Sequence, residues 1–73
     1  MTKGKTIYVE LLEEGTPCWR PVESEHLGGD LYRIAGGRPD GEVWPFRQGD
    51  IVKCRTRIFQ DGSPQLVAYE KAR

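Results

Sequence analysis

The sequence lacks several features that would point to a particular compartment or partner. It has no net charge, with 11 Lys and Arg against 11 Asp and Glu, so its overall field cannot drive tight attachment to nucleic acid or to an anionic membrane. No long apolar run follows the basic residues near its start, so the sequence predicts neither a signal peptide nor a membrane span. We therefore expect a cytoplasmic protein.

Cysteine and histidine are scarce, which limits metal and redox chemistry. The only cysteines, Cys18 and Cys54, lie far apart in the chain, and His26 is the only histidine. No Cys-x-x-Cys or His-x-x-x-His spacing, the usual arrangement of zinc ligands, occurs among them. We predict two reduced thiols that fill core space, no metal site and no cofactor.

The sequence also lacks the motifs of hydrolytic enzymes. Ser24 and His26 are two residues apart and would share one side of a strand, separated by roughly 6–7 Å along it, which is too far for a direct hydrogen bond. No Gly-x-Ser-x-Gly elbow or phosphate-binding glycine loop is present. We predict no catalytic residues and a protein that is not an enzyme.

The residues that are present fit one small folded domain spanning positions 1–73. Hydrophobic residues make up 37% and aromatic residues 10% of the 73, which suits a folded chain better than a disordered one despite a mean hydropathy of -0.62. A domain of this size buries only about 60% of its unfolded surface, so its core must be thin.

Short alternating segments separated by glycine-rich turns indicate β-strands in the first half. Alternation in residues 6–12 predicts a first strand, and residues 18–27 predict a second, extended one. Pro21 falls inside the second strand and belongs at an edge, a bulge or a bend, because proline cannot donate to a ladder. Turns are expected at residues 15–17 and 28–30, and the latter makes a hairpin with a strand at 31–34.

The second half continues the pattern. Residues 36–41 predict a loop, residues 42–46 a short apolar segment, and residues 51–59 and 65–70 two further strands. Within 51–59, one side is nearly apolar and is expected to face the core, and the other is mostly cationic. The apolar side consists of Val52, Cys54, Thr56 and Ile58.

No helix of normal length is visible, so we predict an all-β domain of five or six short antiparallel strands. Closure into a barrel would remove the exposed strand edges that a small sheet leaves. The segment Phe46-Arg47-Gln48-Gly49-Asp50-Ile51-Val52-Lys53-Cys54 resembles the Gly-Asp turn before a valine-bearing strand in SH3-like small barrels, including translation-associated and Tudor-like modules. This resemblance implies a small SH3-like barrel.

A broader resemblance runs through most of the chain. The strings Cys18-Trp19-Arg20-Pro21-Val22, Glu25-His26-Leu27-Gly28, Leu31-Tyr32-Arg33-Ile34 and Pro39-Asp40-Gly41-Glu42-Val43-Trp44 look like those of short standalone bacterial proteins of unassigned function. It implies a compact bacterial β protein and supplies no activity.

Aromatic and arginine residues supply the main candidate binding surface. If exposed together, they would have the composition of an interface hot spot, and we expect a protein or peptide partner. The candidate residues are Trp19, Arg20, Trp44, Phe46 and Arg47.

A nucleic-acid surface is the alternative. Residues 1–30 carry a net charge of -3 and residues 31–73 a net charge of +3, and Lys53, Arg55 and Arg57 place part of the positive charge on one strand side. RNA or single-stranded DNA would bind this side. The same pattern also has a purely structural explanation, in which these cations form the solvated side of a half-buried strand and pair with nearby glutamates.

Two further possibilities concern protein association. A small inhibitor or immunity-type protein would also be a folded interaction surface without chemistry. An uncovered strand edge near Pro21, or along the last strand, would allow a homodimer by edge pairing.

Overall fold

In the computed structural model, which describes residues 4–13, 15, 18–37 and 39–72, every regular element of those residues is a β-strand. The strands are β1 (Gly4–Leu11), β2 (Cys18–Gly28), β3 (Leu31–Ile34), β4 (Ile51–Ile58) and β5 (Pro64–Lys71). The predicted all-β fold with five short strands is therefore confirmed.

The strands form one closed barrel in the order β1-β2-β3-β4-β5. Each strand runs antiparallel to the one before it. After four reversals β5 points in the same direction as β1, so the pair that closes the barrel has to be parallel. That pair meets in register at Tyr8 and Val67. The arrangement is consistent with an SH3-like barrel.

A small apolar core fills the barrel. Alternation along β1 turns Ile7 and Val9 inward, and both are fully buried. Every strand contributes to the same cluster. Its members are Ile7, Val9, Val22, Tyr32, Ile34, Trp44, Phe46, Val52, Cys54 and Ala68, with Leu11 and Leu66 packed at the margin.

The long connection between β3 and β4 supplies two of the core rings. Within it, Trp44 and Phe46 alternate with exposed residues and are buried, at 8% exposure each. The Leu12 amide donates to the Val43 carbonyl and so holds this part of the connection against the end of β1. Among the described residues, this isolated bridge is the only sheet pairing of the predicted segment 42–46. The segment therefore adds two rings to the core without forming a sixth strand.

Pro21 occupies the edge position that its chemistry demands. β3 pairs only with Ser24–Gly28 of β2, so the part of β2 before Ser24 has β1 on one side and no strand on the other. The Glu23 carbonyl accepts hydrogen bonds from the amides of Ala35 and Gly36, so the backbone polar groups of Glu23 point away from β1. Backbone groups two residues apart in a strand point to the same side, so the backbone nitrogen of Pro21 also points away from β1. The missing N–H of Pro21 therefore costs no ladder hydrogen bond.

The turns follow the glycine pattern. Gly28 and Gly29 have φ values of 132° and 54° at the β2–β3 hairpin, in the region that L side chains rarely adopt. Residues 36–41 contain no strand in the part that the structure describes. The predicted turn at 15–17 lies partly outside the described residues.

The inward side of β4 was predicted correctly only over its first half. Val52 and Cys54 are buried, but Thr56 and Ile58 are exposed, and the prediction that they face the core was wrong. Pairing with β3 ends at Lys53, so the remainder of β4 pairs with β5 alone. The β4–β5 hairpin thus extends past the barrel, where no opposite wall can cover Ile58.

Candidate binding site

Three aromatic rings cluster on the outer surface of the barrel. Alternation turns Tyr8 of β1 outward, and Trp19 of β2, paired with Glu10, faces the same way. Phe59, just after β4, packs edge-on against Tyr8 with ring centroids 5.1 Å apart and tilts over Trp19 at 5.8 Å. We call Tyr8, Trp19 and Phe59 the outer aromatic cluster, and all three are only half-buried.

Two arginines of β4 lie against rings on this same surface. The guanidinium carbon of Arg57 is 5.5 Å from the centroid of the Trp19 ring, and that of Arg55 is 4.9 Å from the Tyr69 ring. Such cation–π contacts hold a guanidinium plane while leaving its N–H groups available. Within the described part of the chain, neither arginine has a carboxylate at ion-pair distance.

Trp19, the two arginines and Tyr69 line a groove of about 410 Å³, which we call the outer groove. Val67 at its base is only 3% exposed, whereas Tyr69 is 42% exposed and Pro45 is also exposed. The groove therefore presents accessible aromatic, apolar and cationic groups. It is lined by Glu10, Trp19, Pro45, Phe46, Arg55, Arg57, Val67, Ala68 and Tyr69.

Candidate residues from both sequence hypotheses meet in the outer groove. Trp19 and Phe46 belong to the predicted protein-binding set, and Arg55 and Arg57 belong to the predicted nucleic-acid set. Phe46 reaches the groove from the core, since it is buried. Arg47, its neighbour, does not line the groove and is exposed, and its amide donates to Asp50 Oδ2 at 2.9 Å.

Arg20 and Trp44 lie together in a different place. Arg20 forms an ion pair with Glu42, and the indole Nε1 of Trp44 donates to Glu42 Oε1 at 3.0 Å. The hydrogen bond to Glu42 and the charge of its carboxylate raise the pKa of Arg20. These contacts bind the β3–β4 connection to β2, so this arginine and this tryptophan serve the fold.

Lys53 also has a partner inside the protein. Its Nζ lies 3.3 Å from a carboxylate oxygen of Glu70 on the neighbouring β5, a cross-strand ion pair that offsets its charge. Of the three cations predicted on this side of β4, Arg55 and Arg57 are therefore the two that have no carboxylate partner among the described residues.

Ser24 and His26 take separate structural roles. Ser24 is 2% exposed, and its hydroxyl donates to the Lys5 carbonyl at 2.6 Å. The His26 ring stacks on Tyr32 with centroids 4.7 Å apart, and its Nε2 lies 2.9 Å from the Gly29 carbonyl oxygen. Each side chain is held by groups other than its neighbour, so the two do not form a nucleophile and base.

The thiols are likewise separate. No disulfide joins Cys18 to Cys54, and burial, followed by the charge of Asp30, raises the pKa of Cys54 to about 12. Among the described residues, no group of three or more His, Cys, Asp or Glu side chains is arranged to hold a metal ion.

Sequence reasoning missed Tyr69, Val67 and Glu10 as groove residues. Cys54 pairs with Ala68 and Lys53 pairs with Glu70, which leaves Tyr69 as an extra residue in β5. Before this bulge the alternation is regular: Ala68 faces the core with Cys54, whereas Val67 pairs with Arg55 on the outer side and is buried at the base of the groove. Glu10 follows the buried Val9 in β1, so strand alternation is the sequence signal that could have placed it on the outer side.

A second cavity, of about 320 Å³, lies at the start of β1 and β5 and is lined by Gly4, Lys5, Thr6, Thr56, Pro64, Gln65 and Leu66. It contains no aromatic ring and one cationic side chain, so it lacks the groups that dominate binding at protein interfaces. The outer groove is the better candidate.

Comparison with known proteins adds no assignment, because no family model, no curated protein and no solved structure matches the chain. In the portion that the structure describes, no helix has the length and apolar character needed to cross a membrane.

Proposed function

We propose that this chain is a non-catalytic binding module that holds a segment of a protein or peptide partner in the outer groove. The observation that carries the proposal is the pairing of a half-buried Trp19 and an exposed Tyr69 with the guanidinium groups of Arg57 and Arg55. Tryptophan, tyrosine and arginine are the residues enriched in binding hot spots.

The rings supply contact area at low cost in conformational entropy. Trp19 is already restrained by Phe59 and Arg57, so a ligand would lose little affinity in ordering it. Pro45 is exposed and lines the groove, so it offers apolar surface that a ligand side chain can cover, and removal of water from such a surface favours binding.

Charge favours a peptide over a nucleic-acid strand. A polyanion needs several free cations, whereas the groove offers Arg55 and Arg57 and also contains Glu10. Lys53, the third member of the predicted basic surface, is paired with Glu70. A small inhibitor or immunity-type protein remains within the proposal, since its partner would also be a protein.

Selection from a displayed library of random peptides tests this function. We expect wild-type protein to enrich peptides whose affinity falls about tenfold or more in Trp19→Ala and Tyr69→Ala, the size of a hot-spot effect. Tyr69→Ala is the variant less prone to misfold, because Tyr69 is 42% exposed and packs against no other aromatic ring of the described residues.

Leu27→Ala is the matched control, since Leu27 is a similarly exposed apolar residue on the β2–β3 hairpin and does not line the groove. Enrichment of no peptide would contradict the proposal. Tight binding of labelled single-stranded RNA or DNA, with affinity falling steeply as salt rises, would favour the nucleic-acid alternative instead.

We also propose a bacterial, SH3-like assignment and a cytoplasmic location. The five-stranded barrel supports the SH3-like assignment, and the resemblance of the sequence strings to short bacterial proteins is the support for the bacterial one. Two cysteines outside any disulfide, with Cys54 buried, suit a reducing compartment. Mass spectrometry of protein that is denatured and alkylated at lysis should find both cysteines alkylated, and a cysteine protected by a disulfide would contradict the location.

A further inference from the structure

We infer that the outer groove selects an acidic segment, in which the carboxylate of an aspartate or glutamate lies between Arg55 and Arg57 and a neighbouring apolar side chain packs against Pro45. This inference rests on the proposed function and specifies the chemistry of the partner. It follows from the positions of the two guanidinium groups, the charge around them and the exposed apolar surface of Pro45 in the same groove.

The two arginines are placed to act on one ligand group. They are alternate residues of β4, so they project to the same side and their Cα atoms lie about 6–7 Å apart along the strand. Their long side chains can converge on a group between them. Guanidinium groups match carboxylates with two parallel N–H···O hydrogen bonds, which a lysine ammonium cannot provide.

Arg55 and Arg57 combine an unpaired charge with a place in the outer groove. Arg20, Arg33, Lys53 and Lys71 each lie within ion-pair distance of a carboxylate. In the described ranges, the guanidinium groups of Arg55 and Arg57 contact aromatic rings and have no such carboxylate. Within the same ranges Lys5 and Arg47 have no such carboxylate either, but neither lines the groove, so an acid bound there would meet Arg55 and Arg57.

The rings and the apolar lining strengthen this preference. A carboxylate bound at the N–H edges of guanidinium groups that lie on Tyr69 and Trp19 would be partly withdrawn from water, and its attraction to the arginines would increase. The exposed Pro45 in the same groove favours an apolar neighbour in the ligand. Glu10 lines the same groove and repels a second acid, so an isolated acid within an apolar segment fits better than an acidic run or a phosphate backbone.

The test uses the random displayed library and then synthetic peptides built on one enriched sequence. We expect enriched peptides to share an aspartate or glutamate next to an apolar residue. Replacing that acid by its amide should weaken binding to wild-type protein about tenfold, as expected for loss of a charge-assisted bidentate contact.

Variants of the two arginines identify the acid's contact. In Arg55→Gln/Arg57→Gln the acid and the amide peptides should bind within about twofold of each other, and Arg55→Lys/Arg57→Lys should restore only part of the preference. The matched control, Lys5→Gln/Arg33→Gln, removes two positive charges outside the groove and should keep the full preference.

The outcomes separate the two claims. Enriched peptides that are neutral or basic, yet still depend on Trp19, would overturn the acid preference and leave the proposed function standing. An acid preference retained in Arg55→Gln/Arg57→Gln would also overturn it. Enrichment of no peptide, or displacement of peptides by single-stranded RNA, would overturn both.

Discussion

Raising the pH should destabilise this barrel through the thiol of Cys54. The side chain is 3% exposed, and burial, followed by the charge of Asp30, raises its pKa from 9.0 to about 12. The unfolded chain releases the thiol proton above pH 9, whereas the folded protein retains it. The unfolded state is therefore favoured progressively as the pH rises from 9 toward 12, and below pH 9 this thiol has no effect on stability.

The magnitude follows from the two pKa values. At pH 10 the unfolded thiol is mostly ionised and the folded thiol is not, which lowers the free energy of unfolding by about 1 kcal/mol relative to pH 7. For a domain of this size such a loss lowers Tm by about 4 to 8 °C.

Urea unfolding at pH 7 and pH 10, followed by tryptophan fluorescence, measures the effect. Cys54→Ala is the control, because it removes the titrating group, so its free energy of unfolding should fall by about 1 kcal/mol less than that of wild type over this interval. The pKa of Tyr32 is also raised, chiefly by burial, but that ring is present in both proteins and its effect cancels in the difference. Equal losses in the two proteins would refute the assignment to Cys54.

Three further predictions concern groups with structural roles. Ser24→Ala removes the buried hydrogen bond to the Lys5 carbonyl and should cost about 1 kcal/mol, which thermal unfolding would register as a drop in Tm of about 4 to 8 °C, and an unchanged Tm would contradict this role. Glu42→Gln should lower Tm more than Glu25→Gln, because the Glu42 side chain is 13% exposed, against 26% for Glu25, and also accepts a hydrogen bond from Trp44. The reverse order in the same assay would contradict the structural role of the Glu42 carboxylate. Pro21→Val restores an N–H on the uncovered edge of β2 and should promote self-association in sedimentation velocity, whereas a variant that stays as monomeric as wild type would show that this edge is protected by other means.

The strands were predictable because their signals are local. Ile7 and Val9 alternate with outward residues, and Gly28 and Gly29 supply the φ values that the hairpin needs. The limit of the core along β4 was not predictable in the same way. The exposure of Ile58 depends on how far β3 extends beside β4, and this is a property of a strand that lies much earlier in the chain.

The candidate site shows the same division. Arg55 and Arg57 were identified from alternation within β4, and Trp19 was identified only because tryptophan is common in binding hot spots. Their meeting with Tyr69 depends on a register shift between β4 and β5, which no pattern within either strand reveals. Trp44 resembles Trp19 in sequence surroundings, but it donates to the carboxylate of Glu42 within the connection after β3 and lies in the core.

The outer groove lies where the barrel closes, and this position follows from the strand count. Five strands, each antiparallel to the last, bring β1 and β5 together in parallel, and the two strands meet in register at Tyr8 and Val67. A closure limited in this way needs cover from side chains, which the outer aromatic cluster provides from β1, β2 and the end of β4. Trp19 belongs to this cover and also lines the groove. The contacts that hold its ring at the closure of the barrel therefore also hold it in place for a partner. A thin core leaves no room for an internal site, so the rings that complete the fold on its outside are also the groups available for recognition.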